Sequence, residues 1–257
     1  MAPSELTRLE HQAAAHPEQL EFGPDHDVEL EPAAHRVEGE WIRDATLGAN
    51  DGLVSVLTLI AGVAGAAEDS STVLLAGIAG VVAGAISMAV GAYVSAKAYR
   101  SYYRAELRKE VEEMRAKPEA EREEVREIYR ERGFEGGLLE RVVDTITANP
   151  RVWLRVMMSE ELGLSAHFGR PAAAAAAVFV SFLAGGIVPV LPFLVAEGAP
   201  ALLAAIGVTA AALLGAGAFR TRFTGERALP AGLELVAMAA VGVGVAYGIG
   251  RLVGAAI

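Results

Sequence analysis

Apolar and polar positions are segregated along this chain in blocks of tens of residues. Gly52–Ala67 carries no charge over 16 residues, and Ser70–Ala96 none over 27. Pro171–Phe219 runs for 49 residues with Glu197 as its one charge, and Ala228–Gly250 is interrupted only by Glu234. About 20 apolar residues in a helix cross the ~30 Å hydrocarbon layer of a bilayer. The pattern therefore predicts five transmembrane helices, two of them within residues 171–219 and divided near Glu197-Gly198-Ala199-Pro200. The first run is short. Bringing it to bilayer length adds Leu47–Asn50 and takes Asp51 to membrane depth, where a carboxylate costs about 2.5–3.5 kcal/mol. Asp51 is thus either a functional group inside the membrane or a cap at its surface. The second run holds Gly77, Gly80, Gly84 and Gly91, small residues that let helices approach closely in lipid. Met88 lies in the same run, where a lone Met reads as packing.

Between the apolar blocks stands a charged insert, Lys97–Arg170, with 15 of the 22 basic and 15 of the 32 acidic residues. Strong helix formers over Ala98–Met114 extend the second span. Pro118 ends that helix and opens the next. Gly133 and Gly136-Gly137 break the chain again, and Asn149-Pro150 starts a last helix with Trp153, Val156 and Met157 placed to pack. The expected class is all-α: an integral membrane protein with five transmembrane helices and a cytoplasmic helical insert. The expected organisation is an acidic tail over 1–40, helices one and two over 41–97, the insert over 98–170, and helices three to five over 171–257. Most Lys and Arg fall in the insert and the Arg220–Arg227 loop, on one side of the five spans. The positive-inside rule then puts the N-terminus and the insert in the cytoplasm.

Composition narrows the chemistry. A formal charge of −10 without a dominant basic stripe excludes nucleic acid as a partner. With no Cys, disulfides, iron–sulfur clusters and thiolate zinc sites are excluded. No nucleophile–base arrangement appears, and the apolar runs are too long for a soluble enzyme, so the chain is not expected to be one. Residues 1–40 hold ten Asp/Glu against Arg8 and Arg36, and four of the five His: His11, His16, His26 and His35. They read as a solvated tail or as a weak metal-collecting one. The bias to Arg over Lys, with abundant Ala and Gly, suggests a prokaryotic source and hence a plasma-membrane location.

The insert carries the candidate site. Glu106, Glu110 and Glu113, then Glu121 and Glu124, recur at helical spacing on one face of each helix. Interleaved Arg and Lys allow a solvated face with i,i+4 ion pairs. Two features allow a cation site instead. Glu110, Glu112 and Glu113 crowd like charges together, as do Glu121, Glu123 and Glu124, and a bound ion would relieve them. Met157 and Met158 stand beside Glu160 and Glu161, so soft sulfur adjoins hard oxygen, a donor set for divalent transition metals. No Glu-x-x-His pair occurs, which excludes a ferritin-like di-iron bundle.

The chain resembles the vacuolar iron transporter family. The resemblance rests on Arg43-Asp44 with Asp51-Gly52-Leu53, on Gly84-Ala85-Ile86-Ser87-Met88, and on Lys97. It continues through Glu106, Glu110, Glu113, Pro118, Glu121 and Glu124, then Asn149-Pro150, Trp153-Leu154, Met157-Met158 and Glu161-Leu162-Gly163-Leu164. It implies a five-span homodimer that moves iron(II), or related ions such as manganese(II) or zinc(II), out of the cytoplasm in exchange for protons. It implies metal ligands at Glu110, Glu113, Glu121, Glu124, Met157, Met158 and Glu161, and a path lined by Asp51 and Met88. One departure stands out: plant members carry a Glu eight residues before the Met, where this chain has Gly80. A membrane-anchored metal buffer or sensor that does not transport is the alternative this departure leaves open.

The topology has a direct test, because a chain without Cys accepts a single one as a clean label. A Cys introduced at Glu119 should stay unlabelled when an impermeant thiol reagent is applied to intact cells, and react after the membrane is opened. Labelling from outside would invert the topology.

Overall fold

The computed structural model describes residues 33–67, 69–164, 170–224 and 227–256. The tail to residue 32, with His11, His16 and His26, lies outside them, as do Gly225 and Glu226 and the side chains of His35, Arg220 and Arg222. Every regular element among the described residues is helical: α1 (Ala33–Ala66), α2 (Ser70–Ala116), α3 (Pro118–Glu131), α4 (Gly136–Ala148), α5 (Pro150–Val156), a π turn (Met157–Glu161), α6 (Pro171–Val190), a 3-10 turn (Leu191–Leu194), α7 (Gly198–Thr224) and α8 (Ala228–Gly254). Five of these helices are long and apolar enough to cross a membrane: α1 from Trp41, α2, α6 with its 3-10 extension, α7 and α8. In lipid the backbone must satisfy its own hydrogen bonds, so an uncharged run folds as a helix. The helical region begins at Ala33, eight residues inside what reads in the sequence as a tail.

The chain divides into two compact units, one of residues 33–94 with 170–256 and the other of residues 95–164. In the first, α1 packs against α6, α8 and α7. The contacts are too close for side chains. A Cβ on Gly185 would run into the Ala49 carbonyl, one on Gly52 into the Phe182 carbonyl, and one on Gly250 into the Gly62 carbonyl. Small residues on both partners bring the backbones together, which in lipid supplies dispersion where there is no hydrophobic drive. Val56, Leu57 and Ile60 of α1, Phe182 and Val190 of α6, and Ala201 and Ala205 of α7 fill the core between them. Asp69 caps α2: its carboxylate accepts from the Ser71 and Thr72 amides (3.2 and 3.1 Å) and hydroxyls (2.6 and 2.9 Å), which hold it down at about 2.

The second unit is built on the charged end of α2. Tyr103, Leu107, Val111 and Met114 recur at helical spacing and are buried with Val125 of α3, Leu139, Val143 and Ile146 of α4, and Trp153, Leu154, Met157 and Met158. Pro118 occupies the first turn of α3, where a missing N–H costs nothing. Gly133 (φ 88°) and Gly136 (φ 54°) take the left-handed conformations that turn the chain into α4. Asn149 caps α5, its Oδ1 accepting from Arg151 N at 3.0 Å and Val152 N at 3.5 Å. The outer faces of α3 and α4 are tied by ion pairs. Arg122 meets Asp144 and donates to Thr147 Oγ1 (2.8 Å), and Arg126 Nε donates to Glu140 Oε1 (2.8 Å).

Gly185→Val should lower the thermal midpoint of the detergent-solubilised protein, because its side chain meets backbone that cannot yield; overpacking of this kind costs about 1–3 kcal/mol. Gly207→Ala and Gly244→Ala, whose added Cβ meets nothing within 4 Å, should leave the midpoint unchanged. Equal behaviour of all three variants in a melting scan would remove the close-packing argument.

Candidate functional site

Three of the seven acids and thioethers that the sequence singles out in the insert converge. One carboxylate oxygen each from Glu110 (α2), Glu121 (α3) and Glu161 (π turn) lie within 4.8 Å of one another. Glu110 and Glu121 are 3% and 5% exposed, deep among apolar neighbours. Glu110 Oε1 and Glu121 Oε2 are buried without a hydrogen-bond partner. Buried polar atoms are nearly always paired, so two orphan carboxylate oxygens on residues of one cluster mark it as a candidate cation site. Oxygen donors at these separations suit a divalent ion.

The local fold explains the convergence. On α2, Glu110 follows Leu107 by three residues and precedes Val111 and Met114, so the packing that buries those residues carries Glu110 inward. On α3, Glu121 lies four residues before Val125, the other buried residue of that helix. Glu161 ends the π turn. There the chain widens: Leu162 N donates to Met157 O (3.2 Å) and Leu164 N to Met158 O (2.8 Å), with Gly163 at φ 62°. Widened turns of this sort recur at functional sites.

The electrostatics follow from burial and like charge. Burial first, then a hydrogen bond with Glu121 and the charges of Glu121, Glu161 and Glu113, push the Glu110 carboxyl up to about 8. Burial also raises Glu121, and burial followed by the charges of Glu124, Glu121 and Glu113 raises Glu161. Near neutral pH Glu110 therefore retains a proton that an entering cation would displace.

The other candidates take different places. Glu113 is half-buried with Lys109 Nζ 3.6 Å away, and Glu124 is exposed. Both stand near enough for their charge to act on Glu161 and Glu121. Met157 and Met158 are fully buried on the turn that ends in Glu161. In the membrane unit, Asp51 is half-buried on α1, and Met88 packs at the margin of the core that holds Phe182. Asp51's neighbour Gly52 lies against the Phe182 backbone and Gly84 of α2 against its ring, so both helices meet α6 at this residue. Gly80 of α2 lies against the end of the Leu59 side chain of α1. Sequence reading passed over Asn50, whose buried Oδ1 has no partner among the described residues. It also passed over Ser55, whose hydroxyl donates to the Asp51 carbonyl at 2.5 Å.

Five apolar helices and a separate helical unit with a buried carboxylate cluster define a helical integral membrane protein. Residues 42–251 match the VIT family. The chain is 38% identical over 230 residues to vacuolar iron transporter 1 of Oryza sativa subsp. japonica, covering 89% of this chain and 91% of that protein. It is 37% identical over 231 residues to vacuolar iron transporter 1 of Arabidopsis thaliana, covering 89% and 91%. A 43-residue stretch is 56% identical to VIT-like transporter 1a of Glycine max, 17% of this chain and 21% of that one. The chain belongs to the VIT family, whose members are transporters, not enzymes.

The raised Glu110 carboxyl sets a pH dependence. Between the ordinary carboxyl range near 4.5 and about 8, the folded protein holds more protons than the unfolded chain. Stability of the metal-free protein should therefore fall as pH rises through that window. Glu110→Gln should flatten the fall, and a divalent ion added at pH 8 should offset it. Melting scans at pH 5, 6.5 and 8 check all three; a wild-type midpoint that does not drop by pH 8 would contradict the assignment.

Proposed function

We propose that this protein exports divalent transition metal, iron(II) first and manganese(II) or zinc(II) as related ions, from the cytoplasm across its membrane in exchange for protons. The observation that carries the reading is the Glu110–Glu121–Glu161 cluster, in which Glu110 and Glu121 are buried and each leaves one carboxylate oxygen without a partner, in a chain whose relatives are named vacuolar iron transporters. In this reading Glu110, Glu121 and Glu161 hold the ion, Met157 and Met158 add thioether donors, and Glu113 and Glu124 draw cations in. Asp51 and Met88 line the path between α1 and α2. A carboxylate offsets the loss of hydration inside the membrane, and a thioether disfavours calcium and magnesium, which prefer oxygen. Two copies form the transporter, with the 95–164 unit in the cytoplasm. Protons held by the cluster near neutral pH supply groups that exchange against metal. Export to a cell exterior is the counterpart, in a cell without a vacuole, of transport at the vacuole that the relatives' names give.

A metal-binding buffer or sensor without transport is the second reading. Gly80 supports it, because the glutamate that the plant members carry at that position is missing here.

Iron(II) uptake into proteoliposomes under an imposed pH gradient separates the two. Asp51→Asn keeps volume and removes charge, and flux should fall about tenfold or more, given the cost of an unpaired cation at membrane depth. Met88→Leu should lower iron(II) flux while folding survives. Gly80→Glu should alter flux only together with Leu59→Ala, which opens the space. Glu113→Ala with Glu124→Ala should weaken metal binding in calorimetry. Absence of flux in the wild type with binding intact would leave the buffer reading; undiminished flux in Asp51→Asn would reduce Asp51 to an interfacial cap.

A further inference from the structure

Two adjacent glutamates end the π turn, and they face different partners. Glu161 sends an oxygen into the cluster with Glu110 and Glu121. Glu160 is ion-paired with Arg132, the residue directly after α3. The Arg132 guanidinium is itself held, lying 5.2 Å from the centre of the Tyr129 ring, which meets Phe134 edge-on at 5.7 Å. Nothing in the spacing of two consecutive acids selects one over the other as a ligand. Both sit on a widened turn, both are partly solvent-exposed, and either is a carboxylate on the same side arm.

We infer that Arg132 is a positioning residue that selects Glu161 as the metal ligand by keeping Glu160 occupied. The assignment rests on the reading of the cluster as a metal site. An exposed ion pair contributes little to stability, so the consequence of this one lies in direction. Arg132 terminates the helix that carries Glu121, and Glu160 belongs to the turn that carries Glu161. One bond therefore sets the register between two arms of the cluster and removes the competing carboxylate. Without the guanidinium, Glu160 has no other ion-pair partner among the described residues. It would then be an uncompensated anion one residue from the site, free to replace Glu161.

The test uses cobalt(II) and the full-length protein in detergent micelles, with affinity from equilibrium dialysis and the coordination followed by visible absorption. In the otherwise wild-type chain, Glu161→Gln should weaken the tightest site about tenfold or more, as loss of metal-site groups does. In the Arg132→Gln background the same change should cost no more than about threefold, a coupling between interacting residues, because Glu160 takes its place and the absorption of the bound ion shifts. Adding Glu160→Gln should restore the full loss, and Arg132→Lys should behave as wild type. Arg132→Met, which keeps the stem against Tyr129, serves if Arg132→Gln does not fold. A purely structural arginine would give the same Glu161→Gln penalty in every background, and that result overturns the inference. A Glu161→Gln variant that binds as wild type overturns the site assignment instead.

Discussion

Glu110 and Glu121 face one another inside an apolar core with no ion-pair partner among the described residues, and the rest of the 95–164 unit is arranged to tolerate that. Two carboxylates in contact cannot both ionise cheaply in a medium of low dielectric. The metal-free protein answers by keeping a proton; a cation is the other answer, and it removes the penalty at its source. Around the cluster, the apolar side chains of α2, α3, α4 and α5 exclude water, and that exclusion is what raises the carboxyls. The same residues that stabilise the fold therefore create the site's affinity for charge.

The ion pairs of this unit have a different task. Arg122 with Asp144 and Arg126 with Glu140 lie on the far faces of α3 and α4, where solvent weakens them. Their worth is orientation: they hold α3 so that Glu121 turns inward while Glu123 and Glu127 pair with Arg126 and Arg130 outside. The glutamate run divides accordingly into an outward, ion-paired face and a buried carboxylate cluster. The membrane unit solves another problem. Its helices hold together without water to drive them, and the glycines of α1, α6 and α8 let backbone meet backbone.

The helices were legible in the sequence because the bilayer imposes a length and forbids charge over it; runs of 16 to 27 uncharged residues leave little choice of structure. Pro118, Gly133, Gly136 and Asn149-Pro150 marked the element boundaries of the insert because each acts through its own backbone chemistry. The donor types were legible too, since carboxylate and thioether chemistry belongs to the residue. What periodicity could not supply was which glutamates meet. Glu110, Glu113, Glu121 and Glu124 share a spacing, yet only Glu110 and Glu121 are buried, because burial depends on where the neighbouring helices lie. The π turn, the placing of Glu161 beside Glu110 and Glu121 while Glu160 pairs with Arg132, and the contact of Leu59 with Gly80 were likewise decided by tertiary structure. Each is a relation between residues distant along the chain, and sequence spacing reports only on neighbours within one helix.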